Sequence, residues 1–178
     1  ATLLIGSNYY FYGAVLLGYT LKKFSPGIER VIFIDGAVSN FQVETLEKFY
    51  SKIILIENVN TQIDFCKYES LALPYNKVII MDCDIIIRDD ITPIFDFDGY
   101  VSRDMGVYTI KPNNGEYLKI KNSKDNYSKY ATFAEYYFED NKSTPNFTFE
   151  KKFTHYKGVH KPWLFIYEKD YYIKFIDD

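Results

Sequence analysis

A chain of 178 residues, 47% of them hydrophobic, can build one domain around a sizeable core. A formal net charge of -3, with no long basic run, argues against nonspecific nucleic-acid binding, which needs clustered Lys and Arg facing phosphates. With only Cys66 and Cys83, no apolar run of membrane-spanning length and no basic leader, the expectation is a soluble, cytoplasmic chain with reduced thiols. The 18 Tyr and 15 Phe supply packing, with a remainder for flat ligands such as bases and sugars. Sequons at Asn126, Asn141 and Asn146 are read as chance in an Asn-rich chain without a secretion signal.

In chain order, "ATLLIGS" predicts a short buried strand closed by Gly6. Ala14, Leu17, Leu21 and Phe24 then recur on one helical face from Gly13 to Phe24, and "FSPG" breaks the pattern. "RVIFID" predicts a second strand. Ser39 and Gln42 have the spacing of a capping box, opening a helix with Val43, Leu46, Phe49 and Tyr50 on one side. "SKIILIE" predicts a third strand, residues around Lys67 to Leu73 a short helix, and "KVIIM" a fourth strand. Further on, "MGVYTIKP" reads as a strand, "TFAEYYFED" as a helix and "KFTHYKG" as a short strand entering a turn. Strands apolar throughout, alternating with helices, predict an α/β fold with a parallel sheet covered on both faces. No repeat or linker divides the chain, so one domain is expected.

Ligands of such sheets bind beyond the carboxyl ends of the strands. There stands "MDCDIII", with Asp82 and Asp84 closing the fourth strand. In an extended chain, residues i and i+2 point the same way, so both carboxylates would face one pocket while Cys83 packs on the opposite side. They are either surface charges that close a strand or a pair held together by a cation. A calcium hand is excluded, because Ile86 and Ile87 stand where an oxygen ligand and a glycine belong.

"HYKGVHKPW", residues 155–163, offers complementary chemistry. The imidazole of His155 suits manganese beside two carboxylates. Gly158 lets a backbone approach phosphate oxygens closely, and Lys161 gives a departing phosphate a point charge. Taken singly, His155 reads as a core histidine and Lys161 as a solvated charge; the spacing of the set favours a site.

The pairing of "MDCDIIIRDDITPIF" with "HYKGVHKPW" resembles the glycogenin-like glycosyltransferases, family eight of the retaining enzymes. "TLLIGSNYYFYGAVLLGYTLKK" and "MGVYTIKPN" are similar to that family's N-terminal and internal segments, and the likeness runs in order from Thr2 to Trp163. The resemblance implies a GT-A fold: a Rossmann-like, mainly parallel mixed sheet flanked by helices. It implies one domain over residues 1–178, with about 1–90 as the nucleotide-binding part and about 91–178 as the acceptor part and C-terminal motif.

It also implies that Asp82, Asp84 and His155 ligate Mn2+ (or Mg2+), bridging the phosphates of a UDP-sugar. Gly158 and Lys161 would cradle the diphosphate, Lys161 stabilising the leaving charge. Tyr10 falls where the family stacks uracil, with Leu4, Ile5, Ser7 and Asn8 about the base; Tyr10 reads equally as packing at the start of a helix. Cys83, within the D-x-D, counts with Asp82 and Asp84 among the residues that bind the nucleotide-sugar. Lys67 sits near the family's sugar-nucleotide lysine, one residue off its spacing. Asp104 stands where the family carries an Asn and is the candidate contact to the donor sugar. The implied activity transfers a hexose, foremost glucose, from UDP to a hydroxyl acceptor: a glycan, a protein Tyr or Ser, or a small molecule. A homodimer is common among such enzymes.

Two pieces of the family pattern are absent. A strand with a sugar-contacting Asp is missing between "FDFDG" and "YVSRDMG", and an acidic D-Q-G stretch is missing between "NSKDNYSKY" and "ATFAEYYF". Either loops are missing from the sequence at Gly99–Tyr100 and Tyr130–Ala131, or the protein is trimmed to a silent UDP-sugar-binding or interaction module. An intact mass of 21.0 kDa would exclude missing loops. A nucleotidyltransferase ranks last, since "IGSNYYFYG" lacks the Gly-rich, Arg-containing loop that holds a triphosphate.

Overall fold

The computed structural model describes residues 1–6, 8–57, 63–96, 101–102, 106–122 and 152–156, together with Lys161 and Trp163. Strand β1 (Thr2–Leu4) is followed by a 3-10 turn at Asn8–Tyr10 and helix α1 (Phe11–Phe24). Ala14, Leu17 and Leu21 are buried along α1, as their spacing requires. The helix starts two residues before the expected Gly13, and Lys22 and Lys23 offset the partial negative charge at its end.

β2 (Val31–Ile34) pairs in parallel with β1, Leu3 opposite Phe33, and β3 (Lys52–Leu55) pairs in parallel with β2. Helix α2 (Asn40–Leu46) crosses between them, opened by the expected capping box: Gln42 N donates to Ser39 Oγ at 3.4 Å and Ser39 N to Gln42 Oε1 at 2.9 Å. Tyr50 OH donates to Ala14 O at 2.6 Å, fastening the chain after α2 onto α1.

The short helix expected around Lys67 is a 3-10 helix, Ile63–Ala72. β4 (Val78–Met81) lies beside β1, since Met81 N donates to Ala1 O at 2.9 Å. β6 (Val101–Ser102) and β7 (Val107–Ile110) extend the sheet on the far side, β7 antiparallel to both β4 and β6. The described strands thus form two three-stranded sheets, β1-β2-β3 parallel and β4-β7-β6 antiparallel, which meet where Ala1 bonds to Ile79 and Met81. Helix α3 (Asn114–Lys121) is capped by Asn113, whose Oδ1 accepts from Gly115 N at 2.9 Å.

β5 (Ile85–Ile87) and β8 (Phe153–His155) form a separate antiparallel ribbon, with Ile85 opposite His155 and Ile87 opposite Phe153. Ile85 and Ile87 of β5 are buried in one cluster with Ile79 and Met81 of β4, and α1 holds the strand: Ile87 N donates to Thr20 Oγ1 at 3.1 Å.

Side chains that alternate along the strands enter different apolar clusters. Leu3, Phe33, Val78 and Ile80 pack together under Tyr108, while Leu4 and Ile32 pack against Ala14, and Ile79 and Met81 against Leu17. Both faces are covered, which is why β2 and β4 are apolar throughout and β1 and β7 carry a single buried threonine each; each buried apolar side chain stabilises by roughly 1.5–3 kcal/mol. β3 departs from the expectation of a buried strand, with Leu55 58% exposed. Among the described residues no helix is long and apolar enough to cross a membrane. The expected "TFAEYYFED" helix and the joins at Gly99–Tyr100 and Tyr130–Ala131 lie outside the described residues.

Candidate metal and nucleotide site

The site stands where β4 ends and β5 begins. Asp82, Cys83 and Asp84 form a turn between the two strands, not the continuous extended chain expected from the i, i+2 rule. The turn still brings both carboxylates to one side. Cys83 packs with Leu4, Phe11 and Ala14 and also lines the cleft between the two carboxylates, and burial pushes its thiol far above the ordinary range.

The antiparallel ribbon delivers the imidazole. With Ile85 opposite His155 and Tyr156 N donating to Asp84 O at 2.9 Å, the end of β8 is fixed against the D-x-D turn. His155 Nε2 lies 3.0 Å from Asp84 Oδ1 and 3.8 Å from Asp82 Oδ2. One ligand atom from each of the three residues falls within 4.8 Å of the others.

A buried lysine engages the second oxygen of each carboxylate. Lys67 Nζ stands 2.8 Å from Asp82 Oδ1, and Lys161 Nζ donates to Asp84 Oδ2 and to the Tyr156 carbonyl. Lys67 also lies 5.1 Å from the Tyr108 ring centre, and Lys161 lies 5.5 Å from that of Tyr10. Burial pushes the Asp84 carboxyl up, but the facing imidazole and the Lys161 ammonium outweigh it and hold it below its ordinary value. Burial first, then Asp84, pushes the Tyr10 hydroxyl up.

These groups fit a divalent cation. Among the described residues no donor meets hydrogen-bond geometry at buried Asp84 Oδ1, although His155 Nε2 stands 3.0 Å away. With a protonated ring that contact is an ion pair. With a neutral ring and bare Nε2, two lone pairs face each other, which a shared cation relieves. Two ligands at right angles on bonds of about 2.1 Å stand about 3.0 Å apart, so the spacing matches neighbouring ligands of one ion.

Two glycines and a tryptophan that were not named as site residues set this geometry. Gly106 has φ +61°, and a Cβ there would stand 2.3 Å from Asp82 Oδ2; its carbonyl accepts from Asp82 N at 2.9 Å. Gly106 therefore holds the Asp82 carboxylate from the start of β7. A Cβ on Gly13 would meet the Cys83 carbonyl at 2.6 Å and the Trp163 ring at 2.8 Å. Trp163 Nε1 donates to Tyr9 O at 3.0 Å, stitching the C-terminal motif to the start of α1. The only sequence signal was the glycine after Asp104 and the Pro-Trp that closes the motif; neither shows its contact.

A cleft of about 170 Å³ opens here, lined by Tyr10, Lys67, Asp82, Cys83 and Asp84 with Leu3 and Met81 beneath. Leu4 and Ile5 are buried in the core, Ile5 with Leu3 and Leu4 with Ala14, so any contact they make to a base is through the main chain. The side chain of Asn8, and Ser7, Asp104 and Gly158, lie outside the described residues. A larger cavity, about 300 Å³, is lined by residues such as Leu17, Leu21, Tyr75 and Phe95, away from the D-x-D turn. Volume favours it, but converging ionic groups mark the smaller cleft as the site.

No family model matches the sequence. An uncharacterised protein, R707 of Acanthamoeba polyphaga mimivirus, is 35% identical over 107 residues, which make up 53% of this chain and 38% of that protein. Among solved structures, the apo-form glycosyltransferase GlyE of Streptococcus pneumoniae TIGR4 superposes with a TM-score of 0.61 at 15% identity, over 91% of this chain and 55% of GlyE. The bifunctional glycosyltransferase WbbM gives 0.57 at 12% identity, over 91% of this chain and 46% of WbbM. An active-site mutant of LgtC gives 0.53 at 15% identity, over 92% and 89% of the two chains. The chain thus spans about half the length of GlyE and WbbM and about two fifths of its viral relative. At these identities the likeness carries architecture alone, and the architecture is plain: the chain has the GT-A glycosyltransferase fold.

Proposed function

We propose that this protein is a metal-dependent glycosyltransferase of the glycogenin-like type, moving a hexose from a UDP-sugar to a hydroxyl acceptor with retention. The observation that carries the proposal is the convergence of Asp82, Asp84 and His155, one ligand atom from each within 4.8 Å of the others, at the carboxyl end of β4 in a GT-A fold. Asp82, Asp84 and His155 would hold the ion, Mn2+ by the mixed oxygen and nitrogen ligand set. When bound, such an ion supplies Lewis-acid stabilisation of charge on diphosphate oxygens.

The chain's own residues provide the rest. Lys161, buried behind Asp84 with its ammonium 5.5 Å from the Tyr10 ring centre, would supply positive charge next to the carboxylates that face a departing diphosphate. Lys67 supplies a second charge from the 3-10 helix. Tyr10 offers a ring beside the carboxylates for the flat base. Asp104 and Gly158 complete the proposed set, on the donor sugar and the phosphates. The whole of 1–178 acts as one domain, with about 1–90 holding the nucleotide. The acceptor hydroxyl belongs to a glycan, a protein side chain or a small molecule.

A second reading has its own observation: no D-Q-G stretch follows "NSKDNYSKY". It makes the chain a UDP-sugar-binding module without turnover. Incubation with UDP-glucose or UDP-galactose and Mn2+ separates the two. Release of UDP that stops on chelation supports the transferase. Calorimetric binding of UDP with Mn2+, without release from any UDP-hexose, assigns the binding module. No binding at all removes both.

A further inference from the structure

We infer that the larger cavity, about 300 Å³ between α1 and the strands β1 and β4, is a second binding site, for a neutral, apolar small molecule that carries one hydroxyl or carbonyl. Its walls are Leu17 and Leu21 of α1, Ile79 and Met81 of β4, and Ile91 and Phe95 beyond β5. It opens where β2 and β4 begin, at Val31 and Val78, the opposite end of the strands from the D-x-D turn.

The space is held open by the chain around it. A Cβ on Gly18 would meet the Tyr50 ring at 2.6 Å, and the Tyr50 hydroxyl donates to Ala14 O at 2.6 Å, so that ring is tied to α1 and does not fold into the cavity. At the mouth, α1 ends at Phe24 and the chain turns away through Ser25, Pro26 and Gly27. A Cβ on Gly27 would meet nothing within 4 Å.

The polar groups at the mouth are spent on one another. The Tyr75 hydroxyl is hydrogen-bonded to Glu29, Lys77 Nζ donates to Phe95 O at 2.7 Å, and Arg30 Nε donates to Phe49 O at 2.7 Å. Each charge there already has a partner, so the interior suits a neutral guest. Inside, one polar group is unspent. Thr2 is 1% exposed, and its hydroxyl has no hydrogen-bond partner among the described residues. Alternation along β1 puts Thr2 on the face of Leu4, which packs against Ala14 of α1, so the hydroxyl stands on the cavity side. A buried hydroxyl without a partner is unfavourable, and valine would fill the same volume without that cost. A guest that exchanges a hydrogen bond with Thr2 Oγ1 removes it.

Volume sets the size of the guest. An apolar cavity of about 150 Å³ takes one benzene ring, so about twice that matches a bicyclic ring or a medium-length alkyl chain. Met81 lines both this cavity and the cleft beside Asp82, so β4 runs from one site to the other. The two sites differ in chemistry: converging charges line the cleft, and one hydroxyl among apolar walls lines the cavity.

The test titrates the 178-residue chain with 2-naphthol, naphthalene and 2-naphthoate by calorimetry, and follows the thermal midpoint. 2-Naphthol should bind and raise the midpoint, naphthalene should bind about fivefold more weakly for want of the Thr2 bond, and 2-naphthoate should not bind. In Thr2→Val the preference for 2-naphthol over naphthalene should vanish while naphthalene binds as before. Leu21→Trp, which projects a larger ring from α1 into the space, should weaken both by about tenfold or more. Circular dichroism checks its fold, and if it does not fold the Thr2→Val ratio decides. UDP with Mn2+ should leave 2-naphthol bound. Absence of 2-naphthol binding overturns the inference, as does equal binding of 2-naphthoate or a Thr2→Val chain that keeps the full preference. Displacement by UDP with Mn2+ overturns it too, because the aromatic guest then sits beside Tyr10. So does loss of binding when one residue is added before Ala1, whose nitrogen donates to Ile79 O at the cavity wall, since the backbone itself then takes the space.

Discussion

The stretch from Met81 to Thr92 contains two acidic pairs, one at each end of β5, and the chain treats them in opposite ways. Asp89 and Asp90 are consumed by local donors. Asp90 Oδ1 accepts from Ser25 Oγ at 2.8 Å, Thr92 N at 2.9 Å and Thr92 Oγ1 at 2.6 Å, and Asp89 pairs with Lys152 at 3.1 Å. Ser25 Oγ in turn accepts from Ile91 N, and Lys152 donates to the Asp90 carbonyl, so this pair locks the end of α1 to the far end of the β5–β8 ribbon. Asp82 and Asp84 each spend one oxygen on a lysine and keep the other for the imidazole. An acidic pair therefore says little about function; what matters is whether the protein's own donors use up its lone pairs.

The strongest way to break this contrast is to neutralise one carboxylate from each pair. Asp84→Asn keeps the volume and removes the charge from the buried oxygen, and it should lower UDP release from the UDP-hexose by about a thousandfold or more, within the range for losing electrostatic support of a transition state. Asp90→Asn should leave that release within about twofold, because its partners are Ser25 and Thr92, away from the cleft. Equal losses in the two variants would erase the distinction.

The same contrast shows what was legible in the sequence. The face of α1, the Ser39–Gln42 capping box and the strands β1, β2 and β4 follow from local patterns, because each depends on residues within one turn or one strand. Asp82, Asp84 and His155 were named from motifs, and the ribbon brings them together. The ribbon itself was hidden. β5 is only three residues long and follows β4 after the three-residue D-x-D turn, and its partner lies almost seventy positions away, so no local period marks it. The D-x-D turn was misread as extended for the same reason. Lys67 was held at a spacing one residue off, yet it reaches Asp82 from a 3-10 helix, whose rise and twist differ from those of an α-helix. Gly106 was visible only as a glycine near Asp104, since its role is set by the Asp82 side chain in the turn after β4.

Gly106 sharpens the contrast with a smaller effect. In Gly106→Ala the new Cβ meets Asp82 Oδ2 at 2.3 Å, and the backbone is already in the left-handed region at φ +61°. Relief comes by turning the carboxylate away from His155 or by shifting β7. The expected outcome is a fall of about ten- to a hundredfold in UDP release, since a displacement of about 1 Å has that order of effect. Thermal stability should fall by about 1–2 kcal/mol from backbone strain. Retention of full activity would show that Asp82 does not need its present position.

The smallest effect concerns acid. Native contacts hold the carboxyls of Asp84 and Asp90 below the ordinary value of 3.8: for Asp84 burial opposes but the His155 and Lys161 contacts win, and for Asp90 the Thr92 and Ser25 hydrogen bonds dominate. A depressed native value means that the unfolded chain takes up protons first as pH falls. The stability from both groups is therefore complete above about 4 and drains away as pH drops through the depressed native range. Asp90→Asn should remove part of that acid dependence at a cost of about 1 kcal/mol near neutrality, a figure held down by solvent around the half-buried carboxylate. Mn2+ with UDP should shift the acid unfolding midpoint of wild type and of Asp90→Asn downward alike, but not that of Asp84→Asn, because on the proposed reading the ligand sits on the pair beside His155. Urea melts at stepped pH, with and without Mn2+ and UDP, measure all three. A downward shift that survives in Asp84→Asn would move the ligand away from the D-x-D turn.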